Sequence, residues 1–461
     1  MLKSYCKHLL ILFVVASALT VIALAQDTNA KFDEYLTAIT KQGRFTGSVL
    51  VARDGKVLFS KGYGMANLEF DIPNTTQTKF RLGSVTKQFT AASILLLQER
   101  GKLSVQDPLC KYVENCPKTW EPVTIHHLLV HTSGIHSYTD TGSPEAFRLM
   151  SLQNVTPVGF VDSFKSKPLD FAVGEQFKYN NSGYFILGYL IEKTSGQSYE
   201  AFLQENIFTP LKMMNTGYDT HDRILKLRAT GYEERKGKTV NSEWLDMSIP
   251  YAAGSLYSTV EDLFTWNEAL FSDKLLSAKS RAALMTPDKN NYAYGLGINQ
   301  QHKRQRVSHG GGINGFNTFL ARFPEEKVTI VALRNANFGV SPDKVCTDFA
   351  AILFGEKYEI PSPQAVAKVD AKAAQVDPKI YDSYVGEYQL APNFILAIRR
   401  EGDRLITQAT GQGEVEIFPE SETVFFPKVI EAKLVFFKDE SGKVTHLILK
   451  QNGEHKAMKI K

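Results

Sequence analysis

Two alternating apolar segments meet at Asp54-Gly55 in GSVLVARDGKVLFSKGYG, residues 47–64. Asp-Gly between such segments is a strong tight-hairpin signal, because the pair tolerates the positive φ that a short turn demands. Sheet therefore opens the chain, and it returns only far downstream, in YGLGINQ, in the run from Gly315 to Phe323 and in VTIVALRN, the last two joined by Pro324 to Lys327. From about residue 105 to 285 helical patterns dominate: IHHLLVHTSG, SGYFILGYLIEKTSG, YEAFLQENIF and TVEDLFTWNEALF. Strands at both ends with helices between them require an α+β domain whose antiparallel sheet is closed by sequence-distant segments.

Residues 26–356 form this first domain. Residues 357–376 lie in a Pro-, Ala- and Lys-rich stretch of weak periodicity that reads as a linker. Residues 377–461 then carry short alternating segments such as FILAIRR, KLVFF and VTHLILK, separated by Gly-containing turns. They are expected to form a small antiparallel β-barrel-like domain.

Ahead of both domains, Lys3 and Lys7 precede an apolar block from Leu9 to Leu24 and a small-residue Ala23-Leu24-Ala25 site. Residues 1–25 read as a signal peptide cleaved before Gln26, which predicts a secreted or periplasmic protein with no stable membrane insertion afterwards. The formal charge of +4 includes both lysines, so the remaining chain is nearly balanced and offers no broad basic surface to nucleic acid. Cys110 and Cys116 are close enough for a local bridge that the sequence leaves open, and Cys346 then stands alone as a buried thiol.

Chemistry concentrates in three places. Ser84 and Lys87 stand at i, i+3 at the start of an apolar helical run, a spacing that puts both side chains on one face. A serine hydroxyl needs a base to attack at neutral pH, and a lysine in apolar surroundings can lose its charge and serve as one. Alone, the pair reads more readily as an ordinary helix start, with Ser84 as cap and Lys87 on a solvated face. Tyr179 and Asn181 follow in a polar loop before a second helical pattern, and His309 precedes Gly310, Gly311 and Gly312 just ahead of a predicted strand.

The order Ser-x-x-Lys, Tyr-x-Asn, His-x-Gly resembles the penicillin-recognising serine hydrolases, which include class C β-lactamases, D-alanyl-D-alanine carboxypeptidases and related esterases. The blocks FRLGSVTKQFTAASILLLQERGKL, TIHHLLVHTSGI, FKYNNSGYFILGYLIEKTSG and YAAGSLYSTVEDL are similar to that family's in the same order. The C-terminal segment resembles the lipocalin-like β domains appended to some members.

The resemblance implies a β-lactamase/transpeptidase-like fold and an acyl-enzyme mechanism without metal or organic cofactor. It makes Ser84 the nucleophile, Lys87 its proton acceptor and Tyr179 a second proton-transfer group. Asn181, His309 and Gly311 become substrate contacts, and the backbone N–H groups of Ser84 and Gly312 the oxyanion hole. The expected substrate is a D-alanyl peptide, a β-lactam-related compound, another small amide or an ester, with β-lactams themselves as inhibitors or slow substrates; a secreted esterase and a non-catalytic penicillin-binding-like protein are the alternatives. The partner of the C-terminal domain is left open.

His309 departs from class C β-lactamases, which carry a lysine there, and a neutral histidine attracts a substrate carboxylate less. His126, His127, His131 and His136 crowd one segment, but Leu128 follows His127 where a zinc hydrolase motif requires glutamate. The family resemblance implies instead a buried histidine bonded to backbone.

Overall fold

The Asp54-Gly55 turn forms as expected: Gly47–Arg53 and Lys56–Tyr63 pair antiparallel, with φ of 51° and 72° at the two turn residues. This computed structural model describes residues 27–361, 374–391, 394–409, 414–427, 432–450 and 454–460. The expected leader, residues 1–25, lies outside the described residues.

The hairpin is one side of a six-stranded antiparallel sheet, ordered Gly297–Gln301, Arg304–Ile313, Phe316–Phe323, Val328–Arg334, Gly47–Arg53, Lys56–Tyr63. First and last segments of the domain thus meet at the centre, Leu50 opposite Val331. Successive strand side chains point to opposite faces. Val49 and Val51 join a core with Phe32, Tyr35 and Phe349, from the helices 27–41 and Pro342–Phe354. Leu50 and Ala52 join a larger core with Phe89, Leu95 and Trp266 of the helical region. Because both faces are covered, every residue of Val328–Arg334 is buried.

One strand departs from expectation. Arg304–Ile313 is strand throughout, although its three glycines have low intrinsic β preference. Pairing along the whole of Phe316–Phe323 holds it extended, from Val307 opposite Arg322 to Ile313 opposite Phe316.

The compact unit ends at Ile360 rather than at 356, because Tyr358 and Ile360 still pack on the second core. Most of the expected linker, 362–373, lies outside the described residues. The C-terminal unit forms a closed barrel of eight antiparallel strands in sequence order, joined where Tyr388 pairs with Lys459. Tyr384, Tyr388, Phe425, Phe436 and Leu447 fill its core. Closure leaves no free sheet edge.

Cys110 and Cys116 are disulfide-bonded, and Cys346 is a buried free thiol. Among the described residues no helix is long and apolar enough to cross a membrane.

Candidate active site

Ser84 sits in a single tight turn, Gly83–Val85, that runs directly into the helix Thr86–Glu99. The turn is pinned from both sides. Leu82 N–H donates to the Leu256 carbonyl at 2.8 Å, and the Thr318 hydroxyl donates to the Leu82 carbonyl at 2.7 Å. Gly83 then has φ of +54°, and a Cβ there would lie 2.8 Å from the Gly312 oxygen and 2.9 Å from its nitrogen. Glycine at 83 therefore brings the backbone of Ser84 against the strand Arg304–Ile313. The neighbouring strand pairs with it only as far as Ser308, opposite Gly297. From His309 onward that edge has no strand partner among the described residues.

Lys87 is completely buried, at 0 % exposure. Its Nζ lies 3.0 Å from Ser84 Oγ, 2.9 Å from Asn181 Oδ1 and 2.9 Å from the Ala253 carbonyl. Burial, with no carboxylate among these contacts, holds its pKa well below the usual lysine range. A neutral amine has two N–H groups and one lone pair. The N–H groups match the two oxygens of Asn181 and Ala253, and the lone pair is left for the Ser84 O–H. Nζ also lies 4.9 Å and 5.5 Å from the ring centres of Tyr179 and Tyr184, a setting that stabilises a transient ammonium.

Asn181 opens the helix Asn181–Ser195, capped by the Asn180 side chain accepting from Gly183 N–H. With Oδ1 on Lys87, its Nδ2 donates to the Thr139 hydroxyl at 3.3 Å. Tyr179 precedes this cap and packs at a tilt against His131, with ring centres 4.3 Å apart. Asn180 N–H donates to His131 Nδ1 at 3.1 Å, so the buried histidine is bonded to backbone and orients the Tyr179–Asn181 loop. Burial raises the Tyr179 pKa, and the neighbouring Ser84 hydroxyl partly offsets the rise. The phenol keeps its proton at neutral pH.

His309 is 8 % exposed and both ring nitrogens are engaged inside the protein. Nδ1–H donates to the Gly310 carbonyl at 2.6 Å, and Nε2 accepts from the Tyr292 hydroxyl at 2.8 Å. Burial first, and the neighbouring Lys87 second, push its pKa down to about 4, so the ring is neutral at pH 7.

Ser84, Asn181 and Gly312 line one cavity of about 140 Å³, together with Thr139 and Asn314. A larger hollow of about 340 Å³, lined by Glu114, Lys165 and Lys193 among others, contains none of these residues. Two expected substrate contacts, Gly311 and His309, are not among the residues lining this cavity. Gly311 is buried, and a Cβ there would stand 1.9 Å from the Leu82 carbonyl: it lets the turn and the strand touch. His309 is turned inward onto Tyr292, because a neutral ring buried beside Lys87 finds its partners within the protein.

Residues 28–353 match the model of the family described as beta-lactamase. The chain belongs to the beta-lactamase family. Residues 370–460 match a domain of unknown function, DUF3471, which here is the closed barrel. A penicillin-binding protein of Bacillus subtilis is 29 % identical over 95 % of this chain and 100 % of its own. The octameric penicillin-binding protein homologue from Pyrococcus abyssi is similar in structure, with TM-score 0.65 and 25 % identity over 93 % of this chain and 99 % of that chain. A D-stereospecific amidohydrolase from Streptomyces sp. gives TM-score 0.60 and 25 % identity over 71 % and 99 %.

Within this beta-lactamase-family site, two contributors escaped the sequence reading. Ala253 acts through its carbonyl, in a segment whose Ala252 carbonyl also accepts from Thr90 at 2.7 Å; a backbone role leaves no side-chain signal. Tyr292 lies in a loop between elements, and only its place 17 positions before His309 connects them.

Proposed function

We propose that the protein is an exported serine hydrolase that forms an acyl-enzyme on Ser84 from a small amide or ester. The observation that carries this reading is the enclosed Lys87 amine, saturated by Asn181 and Ala253 and 3.0 Å from Ser84 Oγ.

In the first step Ser84 Oγ bonds to the substrate carbonyl carbon while its proton passes to Lys87 Nζ. The carbonyl oxygen becomes an oxyanion and takes hydrogen bonds from the backbone N–H groups of Ser84 and Gly312, brought together by the Gly83 contact. The tetrahedral adduct expels the amine or alcohol, which takes the phenolic proton of Tyr179; Tyr179 regains a proton from the Lys87 ammonium. Water then attacks the acyl-enzyme by the reverse relay and frees the acid and Ser84. Asn181 orients Lys87 and offers its Nδ2 face to the bound substrate.

Likeness to a penicillin-binding protein and to a D-stereospecific amidohydrolase supports an amide beside an ester as the scissile bond, a D-alanyl peptide among them. The leader-like N-terminus and the Cys110–Cys116 bridge support export to an oxidising compartment. We assign the barrel a structural or substrate-shaping part without a catalytic residue.

A panel of p-nitrophenyl esters, a D-Ala-D-Ala peptide and nitrocefin tests the reading. Turnover of at least one amide or ester that disappears in Ser84→Ala is expected. Full turnover in that variant, or none by the wild type together with no labelling by a fluorophosphonate, contradicts it and leaves a binding protein.

A further inference from the structure

Among the described residues, no lysine or arginine side chain lines the cavity beside Ser84. Its described lining carries the hydroxyls and amides of Ser84, Tyr138, Thr139, Asn181 and Asn314, and beyond these mainly apolar side chains, chiefly Phe147, Leu245, Ile249, Pro250 and Ile313. The positive groups nearby in sequence are spoken for. Lys87 is enclosed by its three oxygen neighbours. Lys178, the residue before Tyr179, is engaged by Asp140 at 2.8 Å and Asp170 at 2.6 Å. His309, where class C β-lactamases carry lysine, has both nitrogens bonded internally.

Two segments of this lining also carry exposed apolar side chains. The segments that supply Phe147 and Leu245 are joined by Asp246 N–H donating to the Ser151 carbonyl at 2.8 Å. The same two segments expose Leu149 and Trp244, at 53 % and 55 %. Within the cavity itself the apolar side chains suit an apolar ligand. A free carboxylate placed here would lose its hydration without gaining a cation, whereas an uncharged chain loses nothing of the kind.

Building on the acyl-enzyme reading above, we propose that this site takes uncharged substrates with apolar groups flanking the scissile carbonyl, and discriminates against a free carboxylate on either side of it. The substrate class is neutral aliphatic or aromatic esters and amides, including blocked D-amino acid amides, rather than peptides or lactams presenting a terminal carboxylate.

Two matched pairs test this on the full-length protein. On the acyl side, p-nitrophenyl hexanoate is compared with mono-p-nitrophenyl adipate, of equal chain length and ending in a carboxylate. On the leaving side, N-acetyl-D-alanyl-D-alaninamide is compared with the free acid. The neutral member is expected to have the higher kcat/KM by at least about tenfold in each pair, equivalent to about 1.4 kcal/mol. Asn314→Lys, which sets a cation on the rim, is expected to narrow both ratios. A free acid hydrolysed as fast as its neutral partner in either pair overturns the proposal while leaving the hydrolase reading intact. Ser84 labelled by a fluorophosphonate but inert toward both neutral substrates overturns it as well. Absence of both labelling and turnover removes the hydrolase reading, and this inference with it.

Discussion

Gly83 and Gly312 touch backbone to backbone, so closely that a Cβ on Gly83 would lie 2.8 Å from the Gly312 oxygen. The two glycines are far apart in sequence, one at the mouth of the buried helix and the other on the strand edge. Their contact decides where the Ser84 N–H stands relative to the Gly312 N–H. A methyl at 83 meets backbone that cannot turn aside, and it must also adopt φ of +54°. Gly83→Ala is therefore expected to cost about 1–3 kcal/mol of stability and to reduce kcat more than it raises KM, read by urea unfolding and steady-state kinetics. Wild-type kcat in this variant would show that the contact does not set the oxyanion geometry.

Gly312 differs from Gly83 in having room. A Cβ there meets nothing nearer than Asn317 Oδ1 at 3.9 Å, and its φ is outside the positive range. Gly312→Ala keeps the N–H and is expected to keep kcat within a few-fold, whereas Gly312→Pro removes the donor and is expected to lower kcat by about 10²–10³. Circular dichroism on both variants separates loss of the donor from loss of the fold, and equal kcat values would exclude this N–H from the oxyanion hole.

The pH profile belongs to Lys87. Its amine accepts the Ser84 proton only while neutral, and burial holds its pKa well below the usual lysine range. As pH falls through that lowered pKa the amine becomes protonated and the base is lost, so kcat/KM is expected to decline on the acid side. Lys87→Met is expected to lose about 10²–10⁴-fold in kcat/KM, and its residual rate to lack this limb. A variant that retains the limb would assign it to another group.

His309 makes a stability prediction. Its pKa is near 6.5 when unfolded and about 4 when folded. Between those values the unfolded chain binds a proton that the native chain does not, so stability falls as pH drops from about 6.5 toward about 4. The full effect is on the order of 3 kcal/mol, and His131, shifted the same way by burial, adds to it. Urea unfolding at pH values down this window should give a flatter dependence for His309→Gln than for wild type. Parallel dependences would mean that His309 takes up a proton in the native protein as readily as in the unfolded chain.

What could be read in the chain, and what could not, follows from the kind of interaction each residue makes. Ser84, Lys87, Tyr179 and Asn181 act through side chains at short spacings, and the structure brings Ser84, Lys87 and Asn181 into direct contact. The hairpin at Asp54-Gly55 and the barrel strands announce themselves through turn chemistry and alternation. Three glycines hid the strand Arg304–Ile313, whose pairing comes from Phe316–Phe323 and not from its own side chains. Gly311 looked like a substrate contact because glycine permits close approach, but the group that approaches is the Leu82 carbonyl. For His309 the residue type was informative and its direction was not, since direction depends on Tyr292.

The central claim is that Ser84 carries the acyl group and Lys87 enables it. Intact-protein mass spectrometry on enzyme quenched during turnover of a slow ester, followed by peptide mapping, tests it most directly. One added acyl mass is expected on the peptide containing Ser84 in the wild type, and none in Ser84→Ala or, on the same timescale, in Lys87→Met. An acyl mass mapped to any other residue, or undiminished acylation of the Lys87→Met protein, would contradict it.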